Sequence, residues 1–296
     1  MSGRVDFHVH SNLSSDGDFS PAELVGFAVE HGLRAFSIAD HDTVAAYPEA
    51  VELGRQRGVE VIPGIEITTL FDGREFHLLL PFVDWTSPAL AGIIERQTEC
   101  RMTETRERIE KLRGLGFVLT MDEVEAKANG VPPLGVKIAQ ILLDGPGNQG
   151  NPALELFYRP ENRPFAPYMF YKEYFAEGRP AWVSKKFVAL LDVLEAAPAT
   201  GGAPVLSHPG AYFQRTTADD ARTLREHGLA GLEVFTFYHT AEQTDFYRGL
   251  AGELDLVATA GSDFHGRIKP HVAFGALAEG DYGMVERLRE RRGGAA

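Results

Sequence analysis

Cysteine is almost missing from this 296-residue chain: Cys100 stands alone, which excludes an internal disulfide framework and any thiolate metal cluster. Basic residues are in deficit, 29 against 42 acidic for a net charge of −13. That balance opposes binding to long duplex nucleic acid, which needs a cationic face. No apolar run nears the ~20 residues that span a bilayer, and no signal-peptide pattern precedes the first strand. The expectation is a cytoplasmic chain with no membrane partner. What is present is an ordinary globular composition, 44% hydrophobic, ample for one large α/β barrel or for two domains.

Histidines and acids stand out against that background because they recur at strand ends. In Asp6-Phe7-His8-Val9-His10 strand alternation sends His8 and His10 to one side, with Val5, Phe7 and Val9 on the other. Two neutral imidazoles leaving a strand can reach one cation, and Asp16 in the following turn adds a hard oxygen. Later β-rich runs deliver Asp40-His41-Asp42, Gly64-Ile65-Glu66, Phe76-His77, Ser207-His208-Pro209 and Ser262-Asp263-Phe264-His265. The candidate metal ligands are therefore His8, His10, Asp16, His41, Glu66, His77, His208, Asp263 and His265. Nine donors exceed one tetrahedral site and suit two or three divalent ions bridged by carboxylates. A mixed nitrogen and oxygen set with no thiolate favours Mn, Fe or Zn.

Between these motifs the sequence alternates strand and helix signals. Ser20-Pro21-Ala22-Glu23 predicts a helix start with a capping box and proline at the first helical position. A second helix over 43–57 ends at Gly58, and Asp72-Gly73 predicts a turn into Phe76-His77. The rhythm implies right-handed βαβ units with parallel strands, and parallel barrels collect function at the carboxyl ends of their strands, where every candidate ligand is expected. From about residue 85 the strand signals stop. A long helix to about Arg113, shorter helices near 121–128 and 136–143, and an aromatic, proline-rich run from Phe157 to Phe175 read as a helical insertion over one rim of the barrel. Its aromatics could form a small core or stack a base. Alternation resumes at Ala181-Trp182-Val183. The domain reading is thus barrel over 1–84, insertion over 85–180 and barrel again over 181–296.

Taken together, the motifs Asp6 to Gly17, Ile38-Ala39-Asp40-His41-Asp42, Pro63-Gly64-Ile65-Glu66, Phe76-His77, Ser207-His208-Pro209-Gly210 and Ser262-Asp263-Phe264-His265 resemble those of the PHP (polymerase and histidinol phosphatase) superfamily. The resemblance implies an α/β fold, a distorted (β/α)7 barrel carrying a helical insertion domain, and a trinuclear centre of Mn, Fe or Zn. It implies that His8, His10, Glu66 and Asp263 surround one ion, that Glu66 bridges to a second held by His77 and His208, and that Asp16, His41 and His265 surround a third. Glu66, Asp263 and His208 are the catalytic residues it implies, with Asp40 and Asp42 as supports.

The insertion after His77 is similar to that of nucleoside 3',5'-bisphosphate phosphatases and 5'-to-3' oligoribonucleases. Where that subgroup has Arg-x-x-Arg this chain has Arg101 and Glu104, and where it has Arg-x-His near the second helix this chain reads Leu134-Gly135-Val136-Lys137. Arg101, Arg106, Lys137, Arg267 and Lys269 are the expected phosphate-binding cations, the last two because they follow His265 closely. The expected reaction is hydrolysis of a small phosphate ester, a nucleotide or short RNA, by water acidified on the metals. The alternatives are another PHP-type substrate, such as a sugar phosphate, histidinol phosphate or an amide, or a non-catalytic metal-binding module.

Overall fold

Strand β1 (Arg4–Val9) is buried at every residue but Arg4, as a strand covered on both faces must be. The computed structural model describes residues 3–14, 16–128, 132–275, 277 and 279–292. They divide into two compact units, Met1–Gln97 with Val188–Ala296 and, separately, Thr98–Phe187.

In the first unit, Ser20 and Glu23 form the expected reciprocal cap on α1 (Pro21–Glu30), which leads to β2 (Leu33–Ile38), parallel to β1. Helix α2 (Tyr47–Arg57) ends on Gly58 at φ 75°, a left-handed stop suited to glycine. The next segment passes through β3 (Glu60–Val61), beside β2, and runs without a helix into β4 (Glu66–Phe71). Asp72 and Gly73, both at positive φ, turn the chain straight back into β5 (Arg74–Leu79), antiparallel to β4. Positive φ at both central residues is the geometry of a tight hairpin.

After the second unit the chain returns as β6 (Val188–Ala189), β7 (Val205–Leu206), β8 (Gly231–Phe235) and β9 (Val257–Ala260). β6 pairs with β4, β5 with β7, and β7, β8 and β9 run parallel. Bridges from His41 to Glu66 and from Val9 to Phe264 join the ends, so β1, β2, β4, β5, β7, β8 and β9 form a ring of seven pairing partners. Leu78, Leu80, Leu206, Leu232 and Ala260 fill its apolar interior and flanks.

Two expectations are corrected. β5 runs against its neighbours, because a two-residue hairpin cannot reverse a chain into a parallel strand. Consequently Glu66 opens β4 and His77 lies inside β5, so not all the candidate ligands sit at carboxyl ends of strands. The strand expected at 181–183 falls instead at Val188–Ala189, since Ala181 is committed to the apolar core of the second unit.

The second unit holds the later part of α3 (Pro88–Gly114), then α4 (Met121–Lys127), α5 (Gly135–Asp144), α6 (Glu155–Tyr158) and α7 (Ala166–Phe170). Its core gathers Leu112, Phe117, Ile138, Leu142, Phe157, Phe170 and Phe175. Phe170 stacks on Tyr174 at 4.3 Å between ring centres, so these aromatics build structure. Buried Asn148 bonds the Val118 N–H and C=O and the Leu142 carbonyl, anchoring the glycine-rich turn after α5. The remaining helices, α8 (Leu190–Thr200), α9 (Ala218–Glu226), α10 (Ala241–Glu253) and α11 (Tyr282–Glu290), belong to the first unit. No helix among the described residues is long and apolar enough to cross a membrane.

Candidate metal centre

Pleating puts Asp6, His8 and His10 on one face of β1, and all three are buried. Asp6 Oδ1 accepts the backbone N–H groups of His8 (3.1 Å) and Ser262 (3.0 Å). The Asp263 N–H donates to His8 O at 2.7 Å and the His10 N–H to Phe264 O at 2.9 Å. The segment after β9 is thereby laced along β1, which brings Asp263 against the two imidazoles.

Nε2 of His8 and Nε2 of His10 lie 3.1 Å apart. Glu66 Oε2 is 3.2 and 3.3 Å from them, and Asp263 Oδ1 is 3.3 and 3.1 Å away. The other Glu66 oxygen, Oε1, faces His77 Nδ1 at 3.0 Å and His208 Nε2 at 3.2 Å, while Oε2 also faces His41 Nδ1 at 3.4 Å. Asp16 Oδ2 lies 3.2 Å from His265 Nε2 and 3.7 Å from His41 Nε2. Three overlapping sets result: His8, His10, Glu66 and Asp263; His41, Glu66 and His77; and His10, Asp16, His41 and His265. His10 and His41 each belong to two sets, and His208 joins through Glu66, so all nine candidate ligands meet in one place.

The donor chemistry fits divalent cations. Ligand atoms on a tetrahedral zinc, at roughly 2.0–2.1 Å, stand about 3.3 Å apart, and an octahedral shell of similar radius brings them to about 3.0 Å; the first set spans that range. His8 Nδ1 lies 2.9 Å from Glu233 Oε1, and His265 Nδ1 lies 2.8 Å from the Asp263 carbonyl. These acceptors require the proton on Nδ1, which leaves each Nε2 lone pair aimed into the cluster. Buried and without a hydrogen bond are Glu66 Oε2, His10 Nδ1, His208 Nδ1 and His265 Nε2, groups that normally find a partner.

Charge is balanced inside the cluster by its own members. Burial pushes the Glu66 carboxyl up, but the imidazoles of His8, His41 and His77 outweigh it and hold the group well below the usual range. Burial also opposes protonation of His10 and His77, yet the neighbouring carboxylates, Asp263 and Glu66 beside His10 and Glu66 and Glu75 beside His77, bring both to about 9. Burial lowers His41 and His208. A cation entering this cluster displaces protons from the imidazoles, so its affinity falls with acidity. His208 and Asp263 also sit at positive φ, 26° and 56°, conformations costing on the order of 1–3 kcal/mol.

Glu233 was not expected. It is fully buried in β8, and besides His8 it accepts the His208 N–H on Oε2 at 2.7 Å. Its sequence signal was a single acid in the apolar run Gly231-Leu232-Glu233-Val234-Phe235. Gly261 makes room for it: a Cβ there would fall 1.8 Å from Glu233 Oε1. Tyr238 was missed as well, and donates to Asp263 Oδ2 at 2.9 Å. Asp40 accepts both the N–H and the hydroxyl of Ser11 at 2.6 Å.

The expected phosphate-binding cations are dispersed between the units. Lys269 Nζ is 2.5 Å from Asp263 Oδ2, and Arg267, 83% exposed, pairs with Asp18 at 3.2 Å. Arg101, Arg106 and Lys137 lie in the second unit. There Arg101 is buried with its guanidinium 5.0 Å from the Phe187 ring centre, Arg106 is exposed on α3, and Lys137 is half-buried on α5.

The model of the PHP domain matches residues 6–111. A 5'-3' exoribonuclease of Haemophilus influenzae is 28% identical over 277 residues, covering 90% of this chain and 91% of that protein. A phosphoribosyl 1,2-cyclic phosphate 1,2-diphosphodiesterase of Eggerthella lenta is 30% identical over 274 residues, 91% of this chain and 97% of that one. Among solved structures, a Bifidobacterium adolescentis protein described as a predicted metal-dependent phosphoesterase superposes with a TM-score of 0.82 at 25% identity, covering 97% of this chain and 96% of its own.

Proposed function

The chain belongs to the PHP-domain family and is a metal-dependent phosphoesterase; from this premise we propose that it hydrolyses a small phosphate ester carried by a nucleotide or short oligonucleotide. The observation that carries the reading is Glu66, whose two carboxylate oxygens face five imidazoles within 3.4 Å. A single carboxylate so shared is the natural bridge between two divalent ions. We propose that two or three ions, Mn, Fe or Zn, are held by His8, His10, Asp16, His41, Glu66, His77, His208, Asp263 and His265, and that the enzyme works in the cytoplasm.

Bound ions supply an acidified water and neutralise phosphoryl oxygens. The chain's own part is orientation. Glu233 fixes the His8 ring and the His208 backbone. Tyr238 and Lys269 engage Asp263 Oδ2, which turns Oδ1 toward His8 and His10. Lys269, beside Asp263 Oδ2, is proposed as a phosphate-binding cation of the first unit, with Arg267 as a second. The name of the Haemophilus influenzae relative favours an RNA substrate. That of the Eggerthella lenta relative favours a second reading, a phosphoribosyl ester without a base.

A screen with added Mn separates them. Phosphate or nucleotide release is expected from adenosine 3',5'-bisphosphate and 5'-phosphorylated short RNA, with turnover falling at least about 100-fold after chelation. Hydrolysis of ribose 5-phosphate, histidinol phosphate or an amide alone would sink the nucleotide reading, and turnover indifferent to chelator would sink the metal mechanism. For Glu233, the glutamine variant is expected to weaken metal binding about 10- to 100-fold, read by titration calorimetry of the metal-free protein. Unchanged affinity would reduce Glu233 to a packing residue.

A further inference from the structure

Large apolar rings stand in solvent beside the donor cluster. Phe213 is 37% exposed, Tyr212 66% and Phe237 39%, a costly arrangement for side chains that elsewhere fill the core. Phe213 lies in the loop after β7, with its ring centre 5.5 Å from that of His77 and 5.3 Å from that of His208. Tyr238, in the loop after β8, is 5.1 Å from His208 and 6.1 Å from Phe213, set at 90° to the latter. Phe237 lies against Tyr238 at 4.0 Å. The same loops that deliver His208 and Tyr238 to the cluster therefore raise an aromatic rim at its edge.

These loops are held in place before any ligand arrives. His239 Nδ1 lies 2.9 Å from the Val234 carbonyl, and Nε2 accepts the Gly210 N–H at 2.9 Å. Gln243 donates to Gly210 O at 3.0 Å, and the Tyr247 hydroxyl lies 3.0 and 2.9 Å from the Pro209 and Thr216 carbonyls. A rim fixed in this way gives a flat ligand a ready surface and spares most of the ordering cost of binding. Shielding the imidazoles would account for the inner faces of Phe213 and Tyr238, but not for the outward faces of Phe213 and Phe237.

We propose that Phe213, with Phe237 and Tyr238, is a stacking subsite for the nucleobase of a ligand whose phosphate lies at the donor cluster. The inference rests on the nucleotide form of the phosphoesterase reading and places the base in the first unit. Every base presents a π-face, so stacking of this kind accepts purines and pyrimidines alike. Contact through aromatic faces also suits an acidic protein, since it adds affinity without adding positive charge.

Binding to metal-loaded protein tests the proposal independently of turnover. Titration calorimetry with AMP and with ribose 5-phosphate is expected to show AMP binding about tenfold more tightly. Phe213→Ala should remove most of that margin and leave ribose 5-phosphate affinity as it was, Phe213→Trp should restore it, and Phe237→Ala should give a smaller loss. Equal affinities for the two ligands in the unaltered protein, no binding of either, or an equal drop for both in Phe213→Ala would overturn the subsite. Base-dependent binding without hydrolysis of any nucleotide would leave the subsite standing and remove the proposed reaction.

Discussion

Glu66→Gln is expected to lower kcat/KM for the preferred phosphate ester by roughly 10³-fold or more, since metal ions contribute several kcal/mol of charge stabilisation to such reactions. The substitution keeps the shape of the side chain and removes its charge. It also replaces one oxygen with an amide nitrogen that donates and cannot ligate. Whichever way the amide turns, either His8, His10 and His41 or His77 and His208 meet an N–H where they now face an acceptor. The loss should therefore appear as reduced metal content as well as reduced turnover, both measurable on one purified sample. Wild-type turnover with a full metal complement in this variant would remove Glu66 from the mechanism.

The second large effect is on stability. Phe170 is wholly buried, with ring centres of Tyr174 at 4.3 Å, Phe157 at 5.5 Å, Phe175 at 5.6 Å and Phe117 at 5.7 Å. Truncation to alanine removes the ring and leaves a cavity lined by other rigid rings that cannot collapse into it. Phe170→Ala should cost about 3–5 kcal/mol, a large part of the stability of any domain. Urea unfolding followed by aromatic signals is the direct check. A loss under 1 kcal/mol would mean that the residues between Thr98 and Phe187 are not organised around this stack.

How far the sequence alone reached follows from what kind of information each feature carries. The donor set was legible because His, Asp and Glu are chemically distinctive and recur at fixed places in an alternating pattern. The capping box at Ser20 and Glu23 and the turn at Asp72 and Gly73 were legible because each is a local rule. The reversal of β5 is not local in the same sense. The sequence signalled a turn, yet the rhythm of the neighbouring helices argued for parallel strands, and the absence of a helix between β4 and β5 decided the outcome. Glu233 stayed hidden because a buried acid in a strand is identified by what lies opposite it, and His8 and His208 are 225 and 25 residues away. The aromatic rim was missed for the same reason: Phe213 and Tyr238 come from separate loops, whereas the conspicuous aromatic run from Phe157 to Phe175 went into a core.

The stitching among His239, Gly210, Gln243 and Tyr247 bears on how this enzyme could be re-engineered. Residues 209–216 and 236–247 are one mechanical part, so grafting either stretch alone from a relative of different length would break its fastenings to the other and tilt His208 with them. A transplant meant to change which esters are accepted has to carry both stretches as a single cassette.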